Sequence, residues 1–494
     1  MTSSIPEHAE KLPAPTSVLG ADHPVPLDAA HVETRGIELI SDLERHGRAR
    51  DLFAVWAAPN VSVLNLTVGA SLTLLGLELW QSIALVLTAS LLWLLPGIIA
   101  VSGPAAGTSG SVITRALYGI RGNKLVVALT GWLIGSVYLS LTWLGAAFVG
   151  ADLFVALGIG DATVTPVVVA LVVAAVTVVV AVYGHGLILR VYSYVALLLL
   201  AIFLLVTAIV APQIDWAYRP AQTLDGVALW SAVTIGFTIL ASAPLSYINS
   251  PDFARYLPRT TKPSHIVAAT ALGGAIPAAF FTIVGVLLPT AVASLDLGIE
   301  SALLSLLPDW LAPILVLGVI VNAIALNGMT TYTSSMALQA IGVPLRRVPA
   351  AVVVGVVGAA LTVYLVISSS LLEAVNLILQ FLVIVAAPTM AVFVTDVLRR
   401  RGRYEGVELA DVTRSSRFWY SAGWSLPGVL AVVLGGVAAA LCLSTTVWTG
   451  PLAEAWGYVD LSVPAGALVA VIVYLALQAT ALGDAPRGPK GAVR

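Results

Sequence analysis

One cysteine, Cys442, in 494 residues leaves no partner for an intrachain disulfide, and its apolar surroundings suit a buried thiol rather than a reactive one. Histidine is scarce as well. The six residues His8, His23, His31, His46, His185 and His265 include no pair at metal-ligand spacing, and no glycine-rich loop runs into a phosphate-binding lysine. These gaps argue against a metalloenzyme and an ATP-driven pump. The largest shortfall is charge: 10% charged against 59% hydrophobic residues, with a mean hydropathy of +0.97. So apolar a chain cannot cover itself as a water-soluble globule. The first fifty residues lack a basic stretch followed by an apolar one, so no cleavable signal peptide is expected. A net charge of −2 gives no pointer to nucleic acid.

What is present is a series of apolar windows. A hydrocarbon core of about 30 Å needs about 20 apolar residues per helix. Windows of that kind fall at 52–76, 80–101, 125–151, 164–183, 191–211, 227–249, 266–290, 311–341, 348–367, 371–394, 424–443 and 463–482. The fold class is therefore an all-α integral membrane protein with twelve transmembrane helices. With the N-terminus in the cytoplasm, every one of the 24 Lys and Arg except Arg219 falls on the cytoplasmic side, including the run at 399–403. That asymmetry supports both the count and cytoplasmic N- and C-termini in a cell membrane, with the bilayer as solvent. The basic run itself reads as an anchor at an anionic leaflet. The expected organisation is a largely disordered cytoplasmic tail at 1–50, five-helix repeats at 51–211 and 226–396, and a basic loop at 397–423. Helices 11 and 12 follow at 424–482, then a cytoplasmic tail at 483–494.

The sixth window carries Pro244, Ser246, Asn249 and Pro251 within a few residues, and the first carries Pro59, Asn60, Asn65 and Thr67. A freed backbone group in lipid costs several kcal/mol unless protein, water or ligand satisfies it, so such clusters imply interruptions facing the bundle interior. Interruptions five helices apart are what a five-plus-five inverted repeat predicts, with a site near the midplane. The other polar residues within the windows are mostly neutral: Ser136, Ser140, Asn322, Asn327, Thr330, Thr331, Asn376 and Gln380. That inventory suits an uncharged polar ligand better than bond breaking, so no enzyme and no cofactor are expected.

At these residues the chain resembles the nucleobase:cation symporter-1 family, the purine and cytosine permeases. The resemblance runs from about Gly36 to the end of the tenth helix. It rests on "GIELISDLERHGRARDLFAVWAAPNVSVLNLTVGASLTLLGLELWQS" at the entry and first helix, "RALYGIRGNKL" before the third, and Gly131-Trp132 within it. "NSPDFARYLP" after the sixth and "LNGMTTYTSSMALQAIG" in the eighth complete the set. It implies a broken-helix sodium-symporter-like fold in which helices 1, 3, 6, 8 and 10 surround the substrate and helices 11 and 12 are peripheral. It also implies secondary active import of a nucleobase, cytosine or a purine, by cation symport, with helices 1, 2, 6 and 7 rocking against the rest.

Carried onto this chain, the resemblance puts Trp132 against a planar heterocycle, Ser136 at a hydrogen-bonding position one turn on, and Asn327 at the amide that reads the ring edge. Ser246, Asn65, Asn249 and Gln380 complete the candidate substrate set, and Asn60, Asn322, Thr330 and Thr331 the candidate cation or coupling set. Each has an alternative structural role: the hydroxyls bond back to their own helix carbonyls, and the asparagines satisfy the broken backbone they flank. Asp252 and Arg255, at i and i+3, are spaced to pair with each other. Two departures stand out. Where hydantoin-type members carry a second Trp on helix 6 this chain has Ala243, and where sodium-coupled members carry a Ser-Thr pair on helix 8 it has Val321 and Asn322. Sodium binds through hard oxygens, so the loss of two hydroxyls favours H+ over Na+ as coupling ion. A carrier for another small heterocycle (hydantoin, allantoin, a vitamin-like compound) or an amino acid, or a membrane receptor without net flux, are the alternatives.

Overall fold

The structure, a computed structural model, describes residues 33, 36–292, 298–368 and 370–480. Much of the N-terminal tail and all of the C-terminal tail expected from the sequence lie outside these residues. Among those described, the chain forms no sheet, only isolated bridges between Ser421 and Trp424 and between Ser444 and Thr449. Nine helices are long and apolar enough to cross a membrane, a tenth crossing is the bent pair Ala49–Asn60 and Val63–Leu74, and Leu426–Cys442 and Ser462–Gln478 are shorter apolar helices. They match the twelve windows in order.

The first span bends by 61° between its two pieces. Pro59 removes a helix donor and crowds the preceding turn, so the helix stops at Asn60. Ser62, in extended backbone, then caps the second piece by accepting from the Leu64 N–H at 3.1 Å. The sixth span differs. Its helix Gly226–Ser246 runs 21 residues, about 31 Å at the usual rise, before Tyr247 leaves helical geometry. Pro251 then opens the single turn Pro251–Ala254, using the position where a missing N–H is harmless. The sixth interruption therefore lies near the C-terminal end of its span, not halfway along it as the polar cluster suggested.

Packing partners repeat five spans apart. The first span packs on the seventh, Pro263–Ala291, as the sixth packs on the second, Leu79–Ala106. The third, Arg115–Ala156, packs on the ninth, Arg347–Ser368, as the eighth, Ala312–Ala340, packs on the fourth, Val164–Tyr183. The first also meets the fifth, His185–Val210, as the sixth meets the tenth, Leu371–Arg400. This exchange of partners is the contact signature of two five-helix repeats related by a pseudo-two-fold. The last two helices lie on each other and on the tenth.

Two close approaches tie this frame together. At the crossing of the first and seventh spans a methyl on Gly69 would lie 2.0 Å from the Thr282 carbonyl oxygen, and one on Gly285 would lie 2.2 Å from that of Leu66. Only glycine lets these backbones meet. The second approach is at the chain's entry, where Arg45 donates to Ile40 O at 2.8 Å and to Pro104 O at 2.7 Å, and Thr108 donates to Ile37 O at 2.8 Å. Residues 36–48 thus lie packed against the end of the second span. Asp252 and Arg255 do not pair with each other. Asp252 Oδ1 accepts from the Gly110 N–H at 2.6 Å, while Arg255 donates to Gly36 O at 2.7 Å and Tyr332 Oη at 2.9 Å and lies 3.4 Å from Glu33. Both are fully buried, and each fixes a neighbouring segment instead.

Candidate functional site

The break in the first span leaves carbonyl oxygens at the C-terminal end of a half-helix, where the peptide dipoles concentrate partial negative charge. Three carboxamides take them. Asn60 Nδ2 donates to Trp56 O at 2.7 Å, and Asn65 Nδ2 reaches back across the break to Asn60 O at 2.6 Å. Asn322 Nδ2, from the eighth span, donates to Ala58 O at 3.1 Å and Pro59 O at 3.4 Å. Asn322 also borders a small void with Ser62 and Thr142. Of the candidate coupling residues, Asn60 and Asn322 are thus engaged as amide donors, Thr330 bonds back to Leu326 O at 3.1 Å, and Thr331 is fully buried with no hydrogen-bond partner for its hydroxyl.

Beside the same break a cavity of about 40 Å³ opens between the first, second, third, sixth and seventh spans, bordered among others by Asn65, Trp93, Tyr138, Ser242, Ala243 and Pro244. Ala243 is the position at which the sequence lacks a second indole. Tyr138 and Trp93 were not singled out from the sequence, where each sits in an apolar window with no motif around it. Ser246 donates to Ser242 O at 2.6 Å and stands 3.4 Å from Tyr138 Oη, just past the lining.

Trp132 lies in a π-helical stretch, Ala128–Leu133, a distortion that frequently marks functional positions. Its indole Nε1 is buried without a hydrogen-bond partner. Ser136, by contrast, bonds back to Trp132 O at 2.8 Å. Asn327 is fully buried, donates to Leu139 O at 2.9 Å, and leaves Oδ1 unpartnered. The third and eighth spans run antiparallel here, with Gly131 facing Ala337, Gly135 facing Ser334 and Leu139 meeting Asn327. Trp132 and Asn327 are therefore seven residues apart along this seam, roughly 10 Å at the helical rise, and neither borders the cavity beside the break. Asn249 Nδ2 donates to Thr333 Oγ1 at 2.6 Å with its Oδ1 unpartnered, and Gln380 is buried on the tenth span.

A half-helix break flanked by a mainly apolar cavity that a few polar residues border, inside two exchanged five-helix repeats, defines a carrier of the broken-helix class. The chain belongs to the family of permeases for cytosine/purines, uracil, thiamine and allantoin, which it matches over residues 40–465. This is a family of membrane permeases, not of enzymes. The chain is 24% identical to the putative purine-cytosine permease YxlA of Bacillus subtilis over 458 residues, 90% of this chain and 96% of that protein. Its fold resembles that of Mhp1, a nucleobase-cation-symport-1 family transporter, solved closed with bromovinylhydantoin bound: TM-score 0.70, 17% identity, 91% of this chain and 96% of that one. The inward-facing conformation of Mhp1 matches with a TM-score of 0.67 at 16% identity, covering 90% and 94% of the two chains.

Proposed function

We propose that this permease is a secondary active transporter importing an uncharged, flat nucleobase, cytosine or a purine, across the cell membrane with both termini in the cytoplasm. The observation that carries the proposal is the cavity beside the broken first span. Its wall combines Asn65, whose Nδ2 is held by Asn60 O, Ser242, whose hydroxyl donates to Ile239 O at 2.7 Å, and the aromatic residues Tyr138 and Trp93. Acceptor oxygens and aromatic side chains thus border the space, as suits a flat ring that carries N–H groups. Trp132 and Asn327 join the site when the two helix groups move. The unpartnered indole N–H of one and carbonyl of the other supply a donor and an acceptor at a buried cost that a ligand would relieve.

At about 40 Å³ the cavity is far below the roughly 300–1,000 Å³ of ordinary ligand sites, so substrate entry requires the first, second, sixth and seventh spans to shift against the rest. Proton coupling fits better than sodium coupling. The half-helix carbonyls that would bind a hard cation already receive N–H donors from Asn60, Asn65 and Asn322. A hydantoin-like substrate is the second reading, favoured by the ligand bound in the structurally similar Mhp1.

The test is uptake of labelled cytosine, adenine, uracil and hydantoin into proteoliposomes under an imposed proton or sodium gradient. Accumulation of one base under an inward proton gradient, unchanged when sodium replaces potassium, is expected. Absence of gradient-driven uptake of every heterocycle offered would refute the carrier reading.

A further inference from the structure

One string of the sequence, "RALYGIRGNKL", takes no part in the site above. It opens the third span and carries Arg115, Arg121 and Lys124. The structure arranges these three cations around one cavity of about 690 Å³, closed on its other sides by Ile37 and Leu39 of the entry segment, the end of the eighth span and Trp419. Gly119, at φ +76°, turns the chain there so that Arg115 points into the protein while Arg121 and Lys124 stay at its surface.

The charges around this cavity are not balanced by protein. Arg115 is 6% exposed, and its guanidinium makes one hydrogen bond, to the Leu409 carbonyl at 2.8 Å. Arg121 donates to Ala422 O at 3.3 Å and sits 5.2 Å from the centre of the Trp419 ring. Among the described residues no carboxylate lies within salt-bridge distance of any of the three; Glu38, which also borders the cavity, accepts instead from the Gly36 N–H. A buried guanidinium is ordinarily paired, because taking a charge out of water costs several kcal/mol. The missing counter-charge points to an anion.

The surroundings select its source. Below Arg121, at successive helical turns on the same face of the third span, Leu125, Leu129 and Leu133 are 51%, 37% and 47% exposed. That ridge leads from a basic cavity straight onto apolar surface of a membrane-crossing helix. We propose that the cavity binds the phosphate-bearing headgroup of an anionic phospholipid, with the acyl chains lying along the Leu125–Leu129–Leu133 ridge. A free phosphate would satisfy the cations and leave the ridge unused.

The experiment uses the full chain, purified and delipidated, with phosphatidylglycerol, phosphatidylcholine and inorganic phosphate as separate probes. Native mass spectrometry counts retained lipid, and thermal unfolding reads stabilisation. The wild type should retain phosphatidylglycerol in preference to phosphatidylcholine and show a salt-sensitive rise in Tm with the anionic lipid only. Arg121→Gln combined with Lys124→Gln, both at exposed positions, should lower that preference roughly 30-fold, from about one kcal/mol per cation near a bilayer surface, without lowering Tm in neutral lipid. Equal retention of the two lipids, or a preference surviving in the double variant, would overturn the site. Stabilisation by inorganic phosphate equal to that by phosphatidylglycerol would overturn the lipid as its source.

Discussion

Replacing Gly285 by alanine tests whether the first and seventh spans move as one body. The added methyl would stand 2.2 Å from Leu66 O, 2.7 Å from Leu66 Cα and 2.8 Å from Leu66 C, all backbone atoms of a helix. A carbon normally stays roughly 3.3 Å or more from a carbonyl oxygen, so the helices must part by about 1 Å. Overpacking of this kind costs about 1–3 kcal/mol, and a gap of that size forfeits a quarter to a half of each dispersion contact along the crossing. A loss near the upper end of that range is expected, because no flexible side chain can give way. Gly69→Ala meets Thr282 O at 2.0 Å on the same crossing and should cost a similar amount. The double variant should cost clearly less than the sum, since parting the helices for one methyl makes room for the other. Gly145→Ala is the control: its methyl would meet nothing nearer than Leu371 Cδ2 at 3.5 Å, and higher helix propensity makes it neutral or slightly stabilising. Thermal unfolding of the detergent-purified variants reads all four. Were Gly285→Ala as stable as Gly145→Ala, or the double variant additive, the rigid crossing would not exist.

Two further predictions concern buried polar groups. Asn322→Ala withdraws the donor from Ala58 O and Pro59 O and should destabilise the protein by about 1–3 kcal/mol, while Asn322→Ser should regain part of that loss in sodium chloride and not in potassium chloride; recovery in neither salt would mean that the half-helix end has no affinity for a hard cation. Arg255→Met removes the cation facing Glu33 and the donor to Gly36 O and Tyr332 Oη, and should cost about 3–5 kcal/mol and expose residues 36–48 to limited proteolysis; Tyr332→Phe, losing the hydroxyl that accepts from Arg255 and donates to Glu33 but keeping the two charges, should cost about 1.5–3 kcal/mol, and equal effects would refute a buried ion pair as the entry segment's anchor.

The twelve windows were legible because lipid permits only one kind of length and polarity, and the Lys and Arg distribution supplies a separate expectation for their alternation. The break in the first span was legible for a related reason: Pro59 followed by Asn60 and Asn65 supplies both the disruption and two of the side chains that satisfy it, while the Ser62 cap carried no such mark. The sixth was harder to place. Pro244 lies within a helix that continues to Ser246, and in a membrane helix a proline's lost bond is tolerated where neighbours satisfy it. Asp252 and Arg255 looked like a local pair because helical spacing allows one. The single turn they share instead aims Asp252 at Gly110 and Arg255 at the entry segment, contacts across 142 and 219 positions that no local pattern announces. Tyr138 and Trp93 were invisible for the same reason, since an aromatic in an apolar window carries no mark of the cavity it borders.

The hydroxyls and amides divide in a way that bears on mechanism. Ser136, Ser140, Thr142 and Thr330 return to carbonyls of their own helices, so their polarity is spent locally and imposes nothing on neighbouring spans. The amides reach between elements: Asn322 from the eighth span to the first, Asn327 from the eighth to the third, Asn249 from the end of the sixth to Thr333 of the eighth. In the proposed rocking motion the Asn322 and Asn249 bonds tie the eighth span to the spans that move against it, whereas the Asn327 bond holds the third and eighth spans together on the same side. Asn327 and Asn249 each keep an unpartnered carbonyl oxygen in this arrangement, a cost that contact with water or with a substrate N–H would remove. This arrangement is thus held by interhelical amide donors and carries the cost of their orphaned acceptors. A ligand that offers N–H groups to those acceptors would change the balance between conformations, which is the condition for binding to drive the exchange of access.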